Sequence, residues 1–209
     1  MQVEHLFKTK CHNLIDLFAG VTTMRKFMYR LETQALLHPN SYDPYKYVGD
    51  GFEFFIELFL KLHPCDNRLG VYNYKPNQIN DNGVDGTGLN MKNEPCVVQI
   101  KYRSNTTTLL ASNKDNLANL FSDGMLNFDV VVDKTDPKNF RHFIFTTADG
   151  LHFYTDHEMF KSRVKTIGFT NLRTLLDNNI HFWDCVRDIA KDLNSKLIPA
   201  SSYIYDYII

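Results

Sequence analysis

Glu53, Asp85 and the pair Gln99 and Lys101 stand on three separate pieces of the chain, yet their side chains suit one task. Carboxylate and amide oxygens are hard donors that take magnesium or manganese and leave room for several waters. Asp85 would be the shared ligand, Gln99 would offer its amide oxygen, and the backbone carbonyl of Ile100 lies on the same stretch. Such an ion stabilises negative charge on a phosphoryl oxygen and lowers the pKa of a water. A lysine beside it, Lys101, can position that water or neutralise charge in the transition state. The reaction these groups suggest is hydrolysis of a phosphodiester.

The elements that must position them are a hairpin and a helix. Asp85 sits in the glycine-rich VDGTGLN, a turn follows at MKNEP, and Gln99 and Lys101 alternate along CVVQIKY. Strand residues two apart point the same way, so Gln99 and Lys101 share a face. A hairpin around Asn93-Glu94-Pro95 would lay Asp85 beside that pair. Glu53 belongs to GDGFEFFIELFLKLHP, an apolar helix expected to begin near Asp50 and to stop at Pro64. Packed over the hairpin, it could add Glu53 from above. Glu57, one turn later on the same face, competes for that role. Gly83, Gly86 and Gly88 read as turn glycines; no helix and no G-K-[ST] follows to make a phosphate cradle. Taken alone, D-x13-Q-x-K is a loose pattern of common residues, and a hairpin turned toward water accounts for it as well.

The remainder reads as alternating elements. Apolar spacing predicts helices over 6–18 and 22–37, joined near Gly20, then a turn-rich connector HPNSYDPYKY. LGVYNY reads as a strand before the loop KPNQINDNG. A polar helix is expected over 112–121, strands at FDVVVD, FRHFIFTTA and VKTIGF, and helices over 156–163 and 178–193. In the last, Phe182, Trp183, Val186 and Ile189 form the buried stripe. Helices before and after a set of strands indicate a mixed α/β sheet sandwiched by helices.

Bulk properties narrow the function. A chain of 209 residues with 44% hydrophobic and 22% charged residues can bury one sizeable core. A net charge of -1 excludes a wholly basic binder, so a nucleic-acid partner needs a local basic patch. No run approaches the roughly 18 apolar residues of a membrane span, and the amino terminus does not read as a signal peptide. The four cysteines and eight histidines form no zinc or disulfide spacing, which points to an intracellular protein, cytoplasmic or nuclear.

GFEFFIELFL, NDNGVDGTG and VVQIKYRS, in that order, resemble the PD-(D/E)xK nuclease superfamily, specifically its Mrr-like branch. Gly49-Asp50-Gly51-Phe52-Glu53 matches that branch's G-x-x-F-E helix, Gly83-Val84-Asp85 its G-x-D turn, and Gln99-Ile100-Lys101 its Q-x-K strand. HFIFTTADGLHFYTDHE is similar to the later strand that ends in Thr-Thr. Val84 stands where the superfamily's title motif has proline, and Gln99 where it has an acid; Q-x-K is common within the branch. The likeness spans roughly 50–158.

The resemblance implies a restriction-endonuclease-like α/β core over 46–200, with a helical extension over 1–45 and a tail over 201–209. It implies a magnesium- or manganese-dependent DNA endonuclease with Asp85, Gln99 and Lys101 catalytic and Glu53 assisting. Metal ligands would be Asp85, Gln99, Ile100 and Glu53. Arg103, Lys114 and Arg141 are candidates for DNA phosphate contacts. Duplex cleavage would suit a homodimer, and the chain could be a module of a larger nucleic-acid-processing protein. The same residues leave open a non-catalytic nucleic-acid-binding or assembly domain, or a junction-resolving, homing or RNA-cleaving nuclease.

Overall fold

A computed structural model describes residues 12–37, 43–62, 69–77, 83–111, 117, 141–152 and 164–197, the side chains as far as 194. The expected helices over 112–121 and 156–163, the strand FDVVVD, Lys114 and the tail lie outside them, Leu117 excepted.

The predicted hairpin forms. β1 (Tyr72–Pro76), β2 (Gly86–Leu89) and β3 (Pro95–Lys101) run antiparallel in sequence, with Gly86 opposite Val98 and Leu89 opposite Pro95. The turn between β2 and β3 is built on Asn90, whose side-chain oxygen accepts from the N–H groups of Lys92 and Glu94. Asn93 takes a φ of 60°, a left-handed conformation that asparagine tolerates. β1 runs further than LGVYNY indicates, taking in Lys75 and Pro76. Proline is accommodated there because β1 borders the sheet and Pro76 ends the strand.

Beyond β3 come β4 (Leu109–Leu110), β5 (His142–Thr146), β6 (Gly150–Leu151) and β7 (Val164–Ile167). β5 lies parallel to β3, with Val97 beside His142 and Lys101 beside Thr146, and β7 lies parallel to β5. The result is a five-stranded mixed sheet in the order β1-β2-β3-β5-β7; β4 and β6 form a separate parallel pair. This is the mixed sheet flanked by helices that the element order indicates.

The helices are α1 (Leu14–Phe18), α2 (Met24–Leu37), α3 (Pro44–Leu62), α4 (Phe169–Leu176) and α5 (Ile180–Leu197). Three depart from the sequence reading. α1 begins at Leu14, so the helix expected over 6–18 does not run through His12 and Asn13; the Asn13 side chain caps it by accepting from the Asp16 N–H. α3 starts at Pro44, not near Asp50, because Asp43 caps it by accepting from the Tyr45 N–H at 2.9 Å. Proline at the first helical position has its φ preset and no N–H to orphan. α4 was not expected at all, although Phe169, Leu172 and Leu176 bury one face at helical spacing. Its first turn is closed by the Asn171 side chain, which accepts from the Gly168 N–H.

Alternation along β3 assigns its two faces. Cys96, Val98, Ile100 and Tyr102 join the main core, with Phe143 and Phe145 of β5 and the helices from Leu14 to Leu193. Phe27 stacks on Phe55 at 4.3 Å and Phe55 on Trp183 at 5.8 Å, so α2, α3 and α5 meet through aromatic rings. Each such buried ring contributes about 1.5–3 kcal/mol of transfer free energy. Val97 and Ile144 face the other way, into a smaller cluster with Val84, Leu110, Leu117, Ala148 and Val164. Gln99 and Lys101 are on that second face.

Gly86 and Gly88 are not turn glycines; both lie inside β2. A Cβ on Gly86 would strike the Tyr74 ring, and one on Gly88 would approach the Tyr72 carbonyl oxygen at 2.8 Å. The strand is bare there so that β1 can lie close. Gly86→Ala is therefore expected to lower stability by about 1–3 kcal/mol through overpacking. Urea unfolding checks it, and Tyr74→Leu in the same chain should recover part of the loss.

Candidate active site

Asp85 ends the loop that precedes β2, and its backbone is held from both sides. Its N–H donates to the Val98 carbonyl at 2.9 Å, while its own carbonyl accepts from the Asn77 N–H at 2.9 Å and the Tyr74 hydroxyl at 3.3 Å. So fixed, the side chain has one short reach. Its carboxylate oxygen Oδ2 accepts from the backbone N–H of Ile100 at 2.5 Å. This is a charge-assisted bond to the peptide between Gln99 and Lys101, the stronger class of hydrogen bond. It forms where β2 gives out and β3 continues, so the Ile100 N–H has a carboxylate in place of a strand partner. The N–H and C=O of one residue leave a strand on the same edge, so the Ile100 carbonyl also turns toward Asp85.

Gln99 answers the question of a polar residue on an apolar strand in an unusual way. It is wholly buried at 0% exposure beside Ile144, yet neither its amide oxygen nor its amide nitrogen has a hydrogen-bond partner among the described residues. Buried polar groups are overwhelmingly paired, so two orphaned atoms on one side chain call for a ligand or a cost. Lys101 stands two residues on and is partly exposed; no hydrogen bond or ion pair among the described residues holds its ammonium. The hairpin thus sets Asp85 against Ile100, with Gln99 and Lys101 on either side of that residue in the strand.

The others are less closely drawn in. Glu53 follows Phe52, whose ring meets Tyr102 edge-on at 5.8 Å on the main-core face of β3. α3 therefore packs on the face opposite that of Gln99 and Lys101. Glu57, its competitor, is buried and ion-paired with Lys61 one turn on. Arg103 lies just beyond the site strand, but its Nη1 donates to the Tyr102 carbonyl at 2.5 Å, and burial lowers its pKa. Arg141 is at the other end of the sheet, where its carbonyl accepts from the Val97 N–H and its guanidinium pairs with Glu94 at 2.7 Å. From Val97 to Lys101 the strand advances roughly 13 Å.

Two contacts were not legible in the sequence. The Tyr102 hydroxyl donates to Glu32 of α2 at 2.7 Å, and burial, then that carboxylate, push its pKa up, keeping the phenol protonated as donor. Thr147, just after β5, bonds the segment that follows Lys101. No local pattern marks Tyr102 for this bond, and the Thr-Thr that ends the later strand does not show what Thr147 binds, because both partners come from distant parts of the chain.

As a cation site the donor set is all oxygen and lean: one carboxylate, one neutral amide and one carbonyl. No cluster of three histidine, cysteine or acidic side chains fit for a metal occurs among the described residues. Such a set fits magnesium, which keeps several waters and takes only one or two protein carboxylates. The orphaned Gln99 amide is the observation that fits. Comparison with known protein families, with curated proteins and with solved structures gives no match.

An unsatisfied buried polar group costs about 1–3 kcal/mol, and an apolar side chain of similar shape removes that cost. In chelator, Gln99→Met is accordingly expected to melt above the wild type. Saturating Mg²⁺ or Mn²⁺ should narrow the gap by stabilising the wild type alone, which thermal scans with and without the ion would read.

Proposed function

We propose that the chain is a metal-dependent DNA endonuclease on a restriction-endonuclease-like core. The carrying observation is the seat of the Asp85 carboxylate on the Gln99-Ile100-Lys101 segment, together with a Gln99 amide that is buried and has no partner among the described residues. Composition and sheet order alone would suit many functions; this arrangement of oxygen donors and an unpaired lysine suits few.

In this reading Asp85, the Gln99 amide oxygen and the Ile100 carbonyl would hold Mg²⁺ or Mn²⁺, which supplies charge stabilisation at the phosphodiester and a more acidic water. Glu53 is left out of the set, since α3 covers the other face of β3. Lys101 binds the scissile phosphate and neutralises the charge that grows on it. Tyr74 and Asn77 hold the Asp85 peptide, so its carboxylate does not swing away. Arg103 is a nearer candidate for flanking phosphates than Arg141, which is paired at the far end of the strand. A dimer would deliver one site to each strand of a duplex.

One observation favours a second reading, a nucleic-acid-binding or assembly domain without catalysis. Asp85 already has a structural task in capping the Ile100 N–H, and Gln99 brings no charge. The two readings part on plasmid DNA. The nuclease should nick supercoiled plasmid with Mg²⁺ or Mn²⁺ and not in chelator. Lys101→Ala should slow nicking by about 10²–10³-fold, the usual effect of losing one charge-stabilising donor, with the melting temperature unchanged. If supercoiled, single-stranded and branched DNA all survive every metal while binding persists in chelator, the binding domain is the function.

A further inference from the structure

The end of β3 beyond Lys101 has no backbone neighbour in register, because β5 stops at Thr146 and the chain turns off through Ala148 and Asp149. Thr147 fills that place. Its N–H donates to the Lys101 carbonyl at 3.3 Å. Its hydroxyl oxygen accepts from the Arg103 N–H at 2.6 Å and donates to the Arg103 carbonyl at 2.8 Å. One hydroxyl thus does for Arg103 what the N–H and C=O of a strand residue would do. Thr147 is 0% exposed, so no water competes for these bonds.

We propose that Thr147 is a positioning residue for Lys101, a role that rests on the nuclease reading of that lysine. Lys101 is the last residue of its strand, and nothing among the described residues grips its ammonium. A long side chain so placed is aimed by its own backbone alone. On one side that backbone is held at Ile100 by Asp85; on the other it is held at Lys101 and Arg103 by Thr147. The Tyr102 ring against Phe52 and its bond to Glu32 stop the strand rolling about its axis. Without the hydroxyl the Arg103 peptide loses both partners, and the lysine is freed at the point where a small displacement is costly for catalysis.

The threonine is also the one residue type, with serine, that can accept and donate at that spot at this size. Thr147→Val keeps the shape and removes the bonds, while Thr147→Ser keeps the bonds and removes a methyl. Full-length protein carrying each change would be compared in two measurements. Amide hydrogen exchange reads the clamp: Thr147→Val should speed exchange at Arg103 about tenfold, and Thr147→Ser should not. Steady-state nicking of supercoiled plasmid with Mn²⁺ reads the consequence. Thr147→Val should lower kcat at least about tenfold with KM changed less than about twofold, and Thr147→Ser should restore most of it.

Unchanged exchange at Arg103 in Thr147→Val would overturn the clamp and leave the nuclease reading untouched. Faster exchange with wild-type kcat would overturn the positioning role, again leaving that reading intact provided Lys101→Ala is inactive. A fully active Lys101→Ala, or a wild type that cuts nothing, would overturn both together. Loss in the serine variant equal to that in the valine variant would mean that packing, not the hydroxyl, matters, and would also overturn the role.

Discussion

Everything at the candidate site follows from one constraint: β3 is longer than the strands on either side of it. A buried peptide group left without a partner is costly, so a strand that outruns its neighbours must find donors and acceptors elsewhere. On the β2 side the Ile100 N–H finds the Asp85 carboxylate; on the β5 side Arg103 finds the Thr147 hydroxyl. Side chains replace backbone at both edges. That substitution brings the acid of Asp85, from the preceding loop, against the strand segment that carries the amide, the carbonyl and the lysine.

The same constraint explains the division of labour between the two faces of the sheet. The even-numbered residues of β3 are wholly committed to the aromatic core with α2, α3 and α5, where Phe52, Phe55 and Phe59 lie. They make the strand rigid. The odd-numbered residues pass from Val97 through Gln99 to Lys101, from apolar to polar to charged, as the strand runs from the interior toward its open end. A gradient of that kind lets one strand be an anchor at one end and reactive at the other. Its cost is the Gln99 amide, which is stranded in an apolar layer unless something binds it.

Elsewhere in the molecule, carboxylates of the same apparent promise are structural. Asp50 and Glu57, both inside the apolar helix α3, are paired with Lys46 and Lys61, each one turn away. Such i, i+4 pairs offset much of the desolvation of a buried carboxylate. Arg141 is likewise turned inward on Glu94. Against this background Asp85 is distinguished by a carboxylate oxygen that accepts from a backbone N–H of the neighbouring strand.

How much of this the sequence carried depends on the range of each interaction. Alternation gave the hairpin and put Gln99 and Lys101 on one face, because a period of two is a local property of extended backbone. Apolar spacing gave α2 and α5, and the turn around Asn93 was marked by its own side chains. The start of α3 was missed although it is local, an Asp43 cap directly before Pro44. The rest of what it missed was set at a distance: Gly86 is glycine because Tyr74 presses on it from the next strand. Which face α3 covers is decided by Phe52 and Tyr102 meeting in the core. Local chemistry is written residue by residue, whereas the partners that leave Gln99 unpaired and hold Arg103 exist only once the strands have been laid side by side.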